Sequence, residues 1–288
     1  MAKISHFLRL TRWNDWILNI AFVLFGYFLP LTSISVYVSL LFMVIVFLLV
    51  QSFGFAINDY FDAPFDKLKK STRNLISNGL IKKYEALIFC VALVISGLLI
   101  SLFYLPFTSF LVILILYIMF FVYSAPPFRF KEKLLLDVVV HGLATPLLLL
   151  ASYALVSIID FKIMLIATAV FASSVVVCIT QEVRDIAADK HAGFRTTADF
   201  LGYRKSLNLV RVLIISGVVL FSLAIILFLP KYLLLLMLSS FFPLKYLFGK
   251  PTQKEFYHKS IDSWNKGIIT LFIIGVLLLP IHMGWIAL

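Results

Sequence analysis

The chain has 288 residues, of which 62% are hydrophobic and 14% are charged, and its formal net charge is +11. One soluble core does not hide so much apolar side chain, so the composition excludes an ordinary soluble globular protein and favours one that faces lipid. The basic excess alone is compatible with a nucleic-acid partner, but the distribution of the basic residues favours membrane topology and no nucleic acid.

Long apolar blocks follow one another along the chain, each near the roughly 20 residues that a helix needs to cross about 30 Å of hydrocarbon. Strand-like alternation is absent, so we predict an all-α, polytopic membrane protein with a single domain, 1–288. Residues 1–15 interleave apolar and basic side chains and predict an amphipathic helix at the membrane interface. Nine transmembrane helices, bundled around a central cavity with polar caps on the cytoplasmic side, are predicted at 16–30, 36–57, 84–105, 107–123, 134–157, 161–181, 206–229, 231–248 and 264–287.

The basic residues support this segmentation. With the N-terminus in the cytoplasm, all 25 Lys and Arg residues except Lys162 and Lys231 fall on the cytoplasmic side. Such a bias follows the positive-inside rule. We therefore predict a multi-pass integral membrane protein whose N-terminus and loops 58–83 and 182–205 are cytoplasmic.

The first acidic cluster begins where the second predicted span ends, in Asn58-Asp59-Tyr60-Phe61-Asp62-Ala63-Pro64-Phe65-Asp66. If the helix continues past Asn58, then Asn58, Asp62 and Asp66 share one face at a spacing of four, with Asp59 on the neighbouring ridge. Pro64 limits the regularity of the last turn, so Asp66 is also compatible with a loop position. Oxygen ligands without His or Cys favour Mg²⁺ over zinc.

The second acidic cluster follows the sixth predicted span, where Asp185 and Asp189 stand four residues apart after Glu182. Many carboxylates at helix ends beside lipid are costly unless cations neutralise them. The simpler alternative is solvated acids partnered by nearby lysines, and the presence of two clusters on one face favours metal binding over it.

Basic residues accompany both clusters, and metal ions with basic side chains are how proteins bind polyphosphate. Each basic residue taken singly is equally compatible with a cytoplasmic loop charge. In the fifth span, Asp137 and His141 are four residues apart and form either a substrate contact or an internal hydrogen bond.

Three motifs resemble those of the UbiA superfamily of intramembrane prenyltransferases. The first cluster is similar to the signature NDxxDxxxD, and Asp185 to Asp189 with the following Lys190, Gly193, Thr196 and Thr197 is similar to the DxxxD motif. The run Tyr123-Ser124-Ala125-Pro126-Pro127 with Arg129 and Lys131 resembles the YSxPPxRxK loop. The order of the motifs and the span layout agree over essentially the whole chain. The sequence departs from the family at Asn74, where proline usually follows the arginine.

The resemblance implies a Mg²⁺-dependent transferase that moves a prenyl group from an isoprenoid diphosphate to an aromatic or lipid-precursor acceptor through an allylic carbocation. The catalytic residues it implies are Asp62, Asp66, Asp185, Asp189, Tyr123 and Lys131. The substrate-binding residues it implies are Arg12, Asn58, Arg73, Arg129 and Lys131. The ligands it implies for two Mg²⁺ ions are Asn58, Asp59, Asp62, Asp66, Asp185 and Asp189.

The implied partners are the isoprenoid diphosphate, a hydrophobic or aromatic acceptor, and membrane lipid. The sequence is compatible with acceptors that range from hydroxybenzoate or dihydroxynaphthoate to a glycerol-phosphate ether-lipid precursor, a porphyrin or a carotenoid. The alternative function is a cation-coupled transporter, since intramembrane acids also mark ion pathways. A transporter more naturally places its acids near the bilayer midplane than at the cytoplasmic ends of spans.

Overall fold

The computed structural model describes residues 2–30, 38–68, 72–192 and 196–229, with residues 273, 274 and 278; of residues 2, 3 and 187–192 it describes the backbone alone. Every regular element in these ranges is helical, which confirms the predicted all-α class for this part of the chain. The α-helices are α1 (Ala2–Leu10), α2 (Trp13–Trp16), α3 (Ile20–Phe28), α4 (Val38–Leu68), α5 (Lys83–Tyr104), α6 (Phe107–Ser124), α7 (Leu136–Tyr153), α8 (Phe161–Ala192) and α9 (Thr197–Phe228). Short 3₁₀ segments cover Ile17–Asn19 and Phe130–Glu132.

Six of these helices, α4 to α9, are long and apolar enough to cross a membrane. They correspond to the second to seventh predicted spans and confirm an integral, multi-pass membrane protein. The first predicted span, 16–30, is divided between the end of α2, a 3₁₀ segment and the nine-residue α3. The predicted span 231–248 lies outside the described residues, as does most of 264–287.

Several helices extend beyond their apolar segments. α4 continues through Pro64 to Leu68, and α8 continues to Ala192. α9 begins at Thr197, nine residues before the predicted start at 206, and is interrupted by a non-helical backbone at Gly202, where φ is 70°. The polar end of α4 remains helical because Asp59 and Asp62 find partners on other elements.

The helices pack mainly against their neighbours in the sequence. α4 packs against α5 and α6, whereas α7 packs against α3, α6 and α8, and α8 lies along α9. Small residues allow close approaches: a Cβ on Gly97 of α5 would lie 1.9 Å from the Tyr117 hydroxyl oxygen of α6, and one on Gly26 of α3 would lie 2.5 Å from the Leu149 carbonyl oxygen of α7. The Tyr117 hydroxyl donates to the Leu93 carbonyl at 3.0 Å and fastens α6 to α5. This packing fixes the ends of α4, α7 and α8, which carry the candidate site.

Candidate functional site

The acidic end of α4 comprises Asn58, Asp59, Asp62 and Asp66. All four lie within the helix Val38–Leu68, so Asn58, Asp62 and Asp66 are spaced by one turn along it, as the sequence predicts for a continuing helix. Asp59 lies on the neighbouring ridge and is 1% exposed. The contacts below show that these four side chains take different partners.

The loop between α6 and α7 brings Lys131 to the acidic end of α4. The Lys131 ammonium donates to the Asn58 Oδ1 atom at 2.8 Å and also to the Asp62 Oδ1 atom. The Ser124 hydroxyl, at the end of α6, donates to the same Asn58 oxygen at 3.3 Å. Burial lowers the pKa of Lys131 from its ordinary value, and the charge of Asp62 and its hydrogen bond oppose that effect. One positive charge therefore lies between two oxygens of the first motif.

Arg129 approaches the same carboxylate from the loop. Its guanidinium lies 3.5 Å from the Asp62 Oδ1 atom and over the Phe65 ring, 4.7 Å from the ring centroid. Glu132 also accepts hydrogen bonds from Arg129 and orients it, a role that sequence reasoning missed although the spacing of three residues is visible. Arg129 has a left-handed backbone, φ 37°, which turns the loop back toward α4.

Arg12 and Asp59 form a separate ion pair, with 2.5 Å between the Arg12 guanidinium and the Asp59 Oδ1 atom. Arg12 stands between α1 and α2 with φ 51°, and the Arg12 side chain is 18% exposed. Its Nε atom is buried without a hydrogen-bond partner among the described residues. The charge of Asp59 is thus balanced by Arg12. This ion pair is separate from the contact that Lys131 makes with Asn58 and Asp62.

The segment after α4 supplies Arg73 and Asn74. Arg73 pairs with Asp15 on the exposed rim, which places it beside the N-terminal segment. The side chain of Asn74 is buried and donates to the Asp66 Oδ2 atom and to the Asp59 carbonyl oxygen, at 2.8 Å each. Sequence reasoning noted Asn74 as a departure from the family but did not connect it with Asp66.

The second acidic cluster is more exposed than the first. Asp185 pairs with its neighbour Arg184 at 2.5 Å, and both side chains are more than 40% exposed, at 42% and 45% respectively. Glu182 accepts from the backbone N–H of Ala198 at 3.0 Å and from the Cys178 thiol at 3.4 Å. The Asp189 side chain lies outside the described residues.

Asp137 and His141, paired in the sequence prediction, turn to different partners. Asp137 is fully buried and accepts from the backbone N–H and the hydroxyl of Thr197, at 2.5 Å each. The His141 ring lies 6.2 Å from the Tyr123 ring, measured between centroids. Asp137 therefore serves as a tertiary cap of α9.

Tyr123 lies near the end of α6, with its ring beside that of His141 on α7. The loop residues Lys131 and Arg129 follow the same helix, α6. Two of the three sequence motifs, the acidic end of α4 and the loop after α6, thus meet at Asn58 and Asp62.

We tested whether these residues suit a divalent cation. In the described ranges, no three His, Cys, Asp or Glu side chains stand together as a metal site. The Lys131 ammonium nevertheless shows that Asn58 Oδ1 and Asp62 Oδ1 converge on one cation, and both are oxygen ligands of the kind Mg²⁺ prefers. Two converging ligands fit an ion that keeps several waters and takes further oxygens from a phosphate.

The model of the UbiA prenyltransferase family matches residues 19–260 of the chain. The chain is also similar to the digeranylgeranylglyceryl phosphate synthase of Korarchaeum cryptofilum, with 26% identity over 98% of this chain and 100% of that protein.

Solved structures share the fold. A UbiA homolog from Archaeoglobus fulgidus bound to DMAPP and Mg²⁺ gives a TM-score of 0.75 at 24% identity, covering 96% of this chain and 97% of that one. A structure from work on digeranylgeranylglyceryl phosphate synthase gives 0.77 at 22% identity, covering 96% and 99%.

Proposed function

Because this chain belongs to the UbiA prenyltransferase family, we propose that it transfers a prenyl group from an isoprenoid diphosphate to an acceptor within the membrane and needs Mg²⁺ to do so. The enzyme class follows from the family, which favours an enzyme over the cation-coupled transporter. The Mg²⁺ dependence, the two-ion stoichiometry, the acceptor and the cytoplasmic orientation of the site belong to the proposal.

The observation that carries the proposal is the contact of Lys131 with Asn58 and Asp62. It joins the loop after α6 to the acidic end of α4, so that basic donors and carboxylate oxygens share one place. Breaking an allylic C–O bond builds negative charge on the departing diphosphate, and donors aimed at developing charge stabilise the transition state. Lys131 and Arg129 present such donors. When bound, Mg²⁺ supplies further positive charge to the same leaving group.

The remaining residues take supporting roles. Asn58, Asp59, Asp62 and Asp66 are the proposed ligands on α4, and Asp185 and Asp189 those of a second Mg²⁺ on α8. Arg12 has a buried Nε without a hydrogen-bond partner in the described part of the chain, which is suited to a phosphate oxygen. Tyr123, near the end of α6, presents an aromatic ring of the kind suited to a cationic carbon. Arg73, on the rim with Asp15, is suited to binding the incoming diphosphate.

The names of the relatives support one acceptor class. A protein that is 26% identical over nearly the whole chain is named for a glyceryl phosphate product with two geranylgeranyl groups. We therefore rank a geranylgeranylglyceryl phosphate acceptor ahead of aromatic acceptors such as hydroxybenzoate. For the donor, the Archaeoglobus homolog was solved with DMAPP and with GPP, so prenyl diphosphates of more than one chain length need testing.

The test uses the purified full chain in lipid nanodiscs with geranyl or geranylgeranyl diphosphate and each acceptor in turn, and mass spectrometry of the products. We expect the enzyme to form a prenylated acceptor and free diphosphate. Formation of both products should stop in EDTA and should resume when excess Mg²⁺ is added. Undiminished transfer in EDTA would contradict the metal requirement. Uptake of cations into liposomes without any prenylated product would favour the transporter instead.

A further inference from the structure

The turn after α4 carries a buried amide whose hydrogen-bonding groups all have partners. Asn74 is 0% exposed. Its NH₂ group donates to the Asp66 Oδ2 atom and to the Asp59 carbonyl oxygen, both at 2.8 Å. Its amide oxygen accepts from the backbone N–H groups of Ile76 and Ser77, at 3.0 and 3.2 Å. One side chain thus joins the turn to the end of α4.

The two halves of this amide do different things. The oxygen closes a local turn of the kind that Asn and Asp side chains form with their own backbone. The NH₂ group reaches out of the turn to α4. Aspartate at this position would keep the first function and lose the second, because a carboxylate at neutral pH has no N–H to donate.

The Asp66 carboxylate lies in a part of α4 where a hydrogen bond is needed to orient it. Asp59 and Ala63 lie in the helical turn before Pro64, which lacks an N–H and disturbs the turn that precedes it. Asp66 lies beyond Pro64, near the end of the helix at Leu68, where few neighbours restrict a side chain. The Asn74 amide is the group in this turn that donates to the Asp66 carboxylate and sets its direction.

We propose that Asn74 is a positioning residue that aims the Asp66 carboxylate at the metal–diphosphate site by donating a hydrogen bond to its Oδ2 atom and leaving the Oδ1 atom to act as a ligand. This inference rests on the proposed function, in which Asp66 is a Mg²⁺ ligand. Partners that orient metal-binding carboxylates typically contribute about 10- to 100-fold in metal affinity or activity.

The test compares Asn74→Asp and Asn74→Ser with Ser77→Ala. Asn74→Asp keeps an oxygen for the turn but places a carboxylate against Asp66. Asn74→Ser also keeps an oxygen for the turn, is too short to reach α4, and adds no charge. Ser77→Ala is the matched control, because it removes a 2.9 Å hydrogen bond from the Ser77 hydroxyl to the Asn74 carbonyl oxygen and leaves both bonds to α4 in place.

Two quantities are measured on the full chain in detergent: Mn²⁺ binding, followed by the electron paramagnetic resonance of the free ion, and the Mg²⁺ concentration that gives half-maximal prenyl transfer. We expect both Asn74 variants to weaken Mn²⁺ binding and to raise the half-maximal Mg²⁺ concentration, each by about 10-fold or more. Ser77→Ala should remain within about 2-fold of the wild type, because it leaves both hydrogen bonds from Asn74 to α4 in place.

Asn74 variants that bind Mn²⁺ as tightly as the wild type would overturn the inference while leaving the proposed function intact. An equal loss in Ser77→Ala would also overturn it, since it would assign the effect to the turn as a whole. If Asn74→Asp fails to fold, Asn74→Ser decides the question. A wild-type chain that neither binds Mn²⁺ nor transfers a prenyl group would instead refute the proposed function itself.

Discussion

Replacing Lys131 by Met removes the ammonium and keeps a side chain of similar shape. The ammonium makes two contacts, one with Asn58 at 2.8 Å and one with Asp62, and its side chain is only 12% exposed, so water replaces it poorly. Removing one donor from a site of developing negative charge typically costs about 10²–10³ in kcat, or about 3–4 kcal/mol of transition-state stabilisation. We expect a loss of that size in prenyl transfer.

The same change should cost less in stability than in activity. Removal of one partner of a buried ion pair typically costs about 3–5 kcal/mol when the other charge is left alone. Here the Arg129 guanidinium remains 3.5 Å from the Asp62 carboxylate. The loss of unfolding free energy should therefore be close to that of a lost buried hydrogen bond, about 1–3 kcal/mol. The variant should fold.

The assay is steady-state transfer at saturating Mg²⁺ with thermal unfolding of the same preparations. Lys133→Met is the matched control, because Lys133 is on the same loop, is exposed, and lies over the Phe130 ring at 5.4 Å from its centroid. It removes an equal charge and should keep transfer within about 2-fold of the wild type. A folded Lys131→Met enzyme with a kcat within 3-fold of the wild type would refute the role of the ammonium.

Three further predictions concern the acidic clusters and the helix contacts. Asp62→Ala should reduce transfer by at least about 100-fold while the protein remains folded; full turnover would remove Asp62 from the metal site. Asp137→Ala should lower the unfolding midpoint, since each buried donor of Thr197 left without a partner costs about 1–3 kcal/mol; an unchanged midpoint would contradict the capping role. Gly97→Ala should destabilise the chain by about 1–3 kcal/mol, and by less in a Tyr117→Phe background, because the added Cβ meets the Tyr117 hydroxyl; equal costs in both backgrounds would contradict that contact.

The apolar blocks were sufficient to predict the helical class and the bounds of several spans. The prediction 84–105 differs from α5 by one residue at each end, and 107–123 differs from α6 by one residue at its C-terminal end, because Pro106 separates two strongly apolar runs. Hydropathy could not show that α4 continues to Leu68, because Asp62 in its polar end pairs with Lys131, 69 positions away. The extension is stabilised by tertiary contacts that a local window does not contain.

The sequence predicted which residues belong to the candidate site but not which of them pair with each other. The motifs identified Asn58, Asp62 and Lys131, which lie together, yet they grouped Asp59 with the same ligands, whereas Asp59 is buried against Arg12. That pairing depends on the turn at Arg12 between α1 and α2, which no spacing rule in the sequence encodes. Asn74 was visible only as a departure from a family pattern, because its role depends on where the turn meets α4.

The capped start of α9 has a consequence for biogenesis. Asp137 on α7 and Glu182 on α8 accept the N–H groups of Thr197 and Ala198, which come later in the chain. While the ribosome has yet to deliver residue 197, these two carboxylates lack their donors on α9, and incompletely compensated acids resist transfer into hydrocarbon. The α7–α8 hairpin should therefore remain partly hydrated at the insertion machinery until α9 emerges, and its final seating should be a late event in membrane assembly.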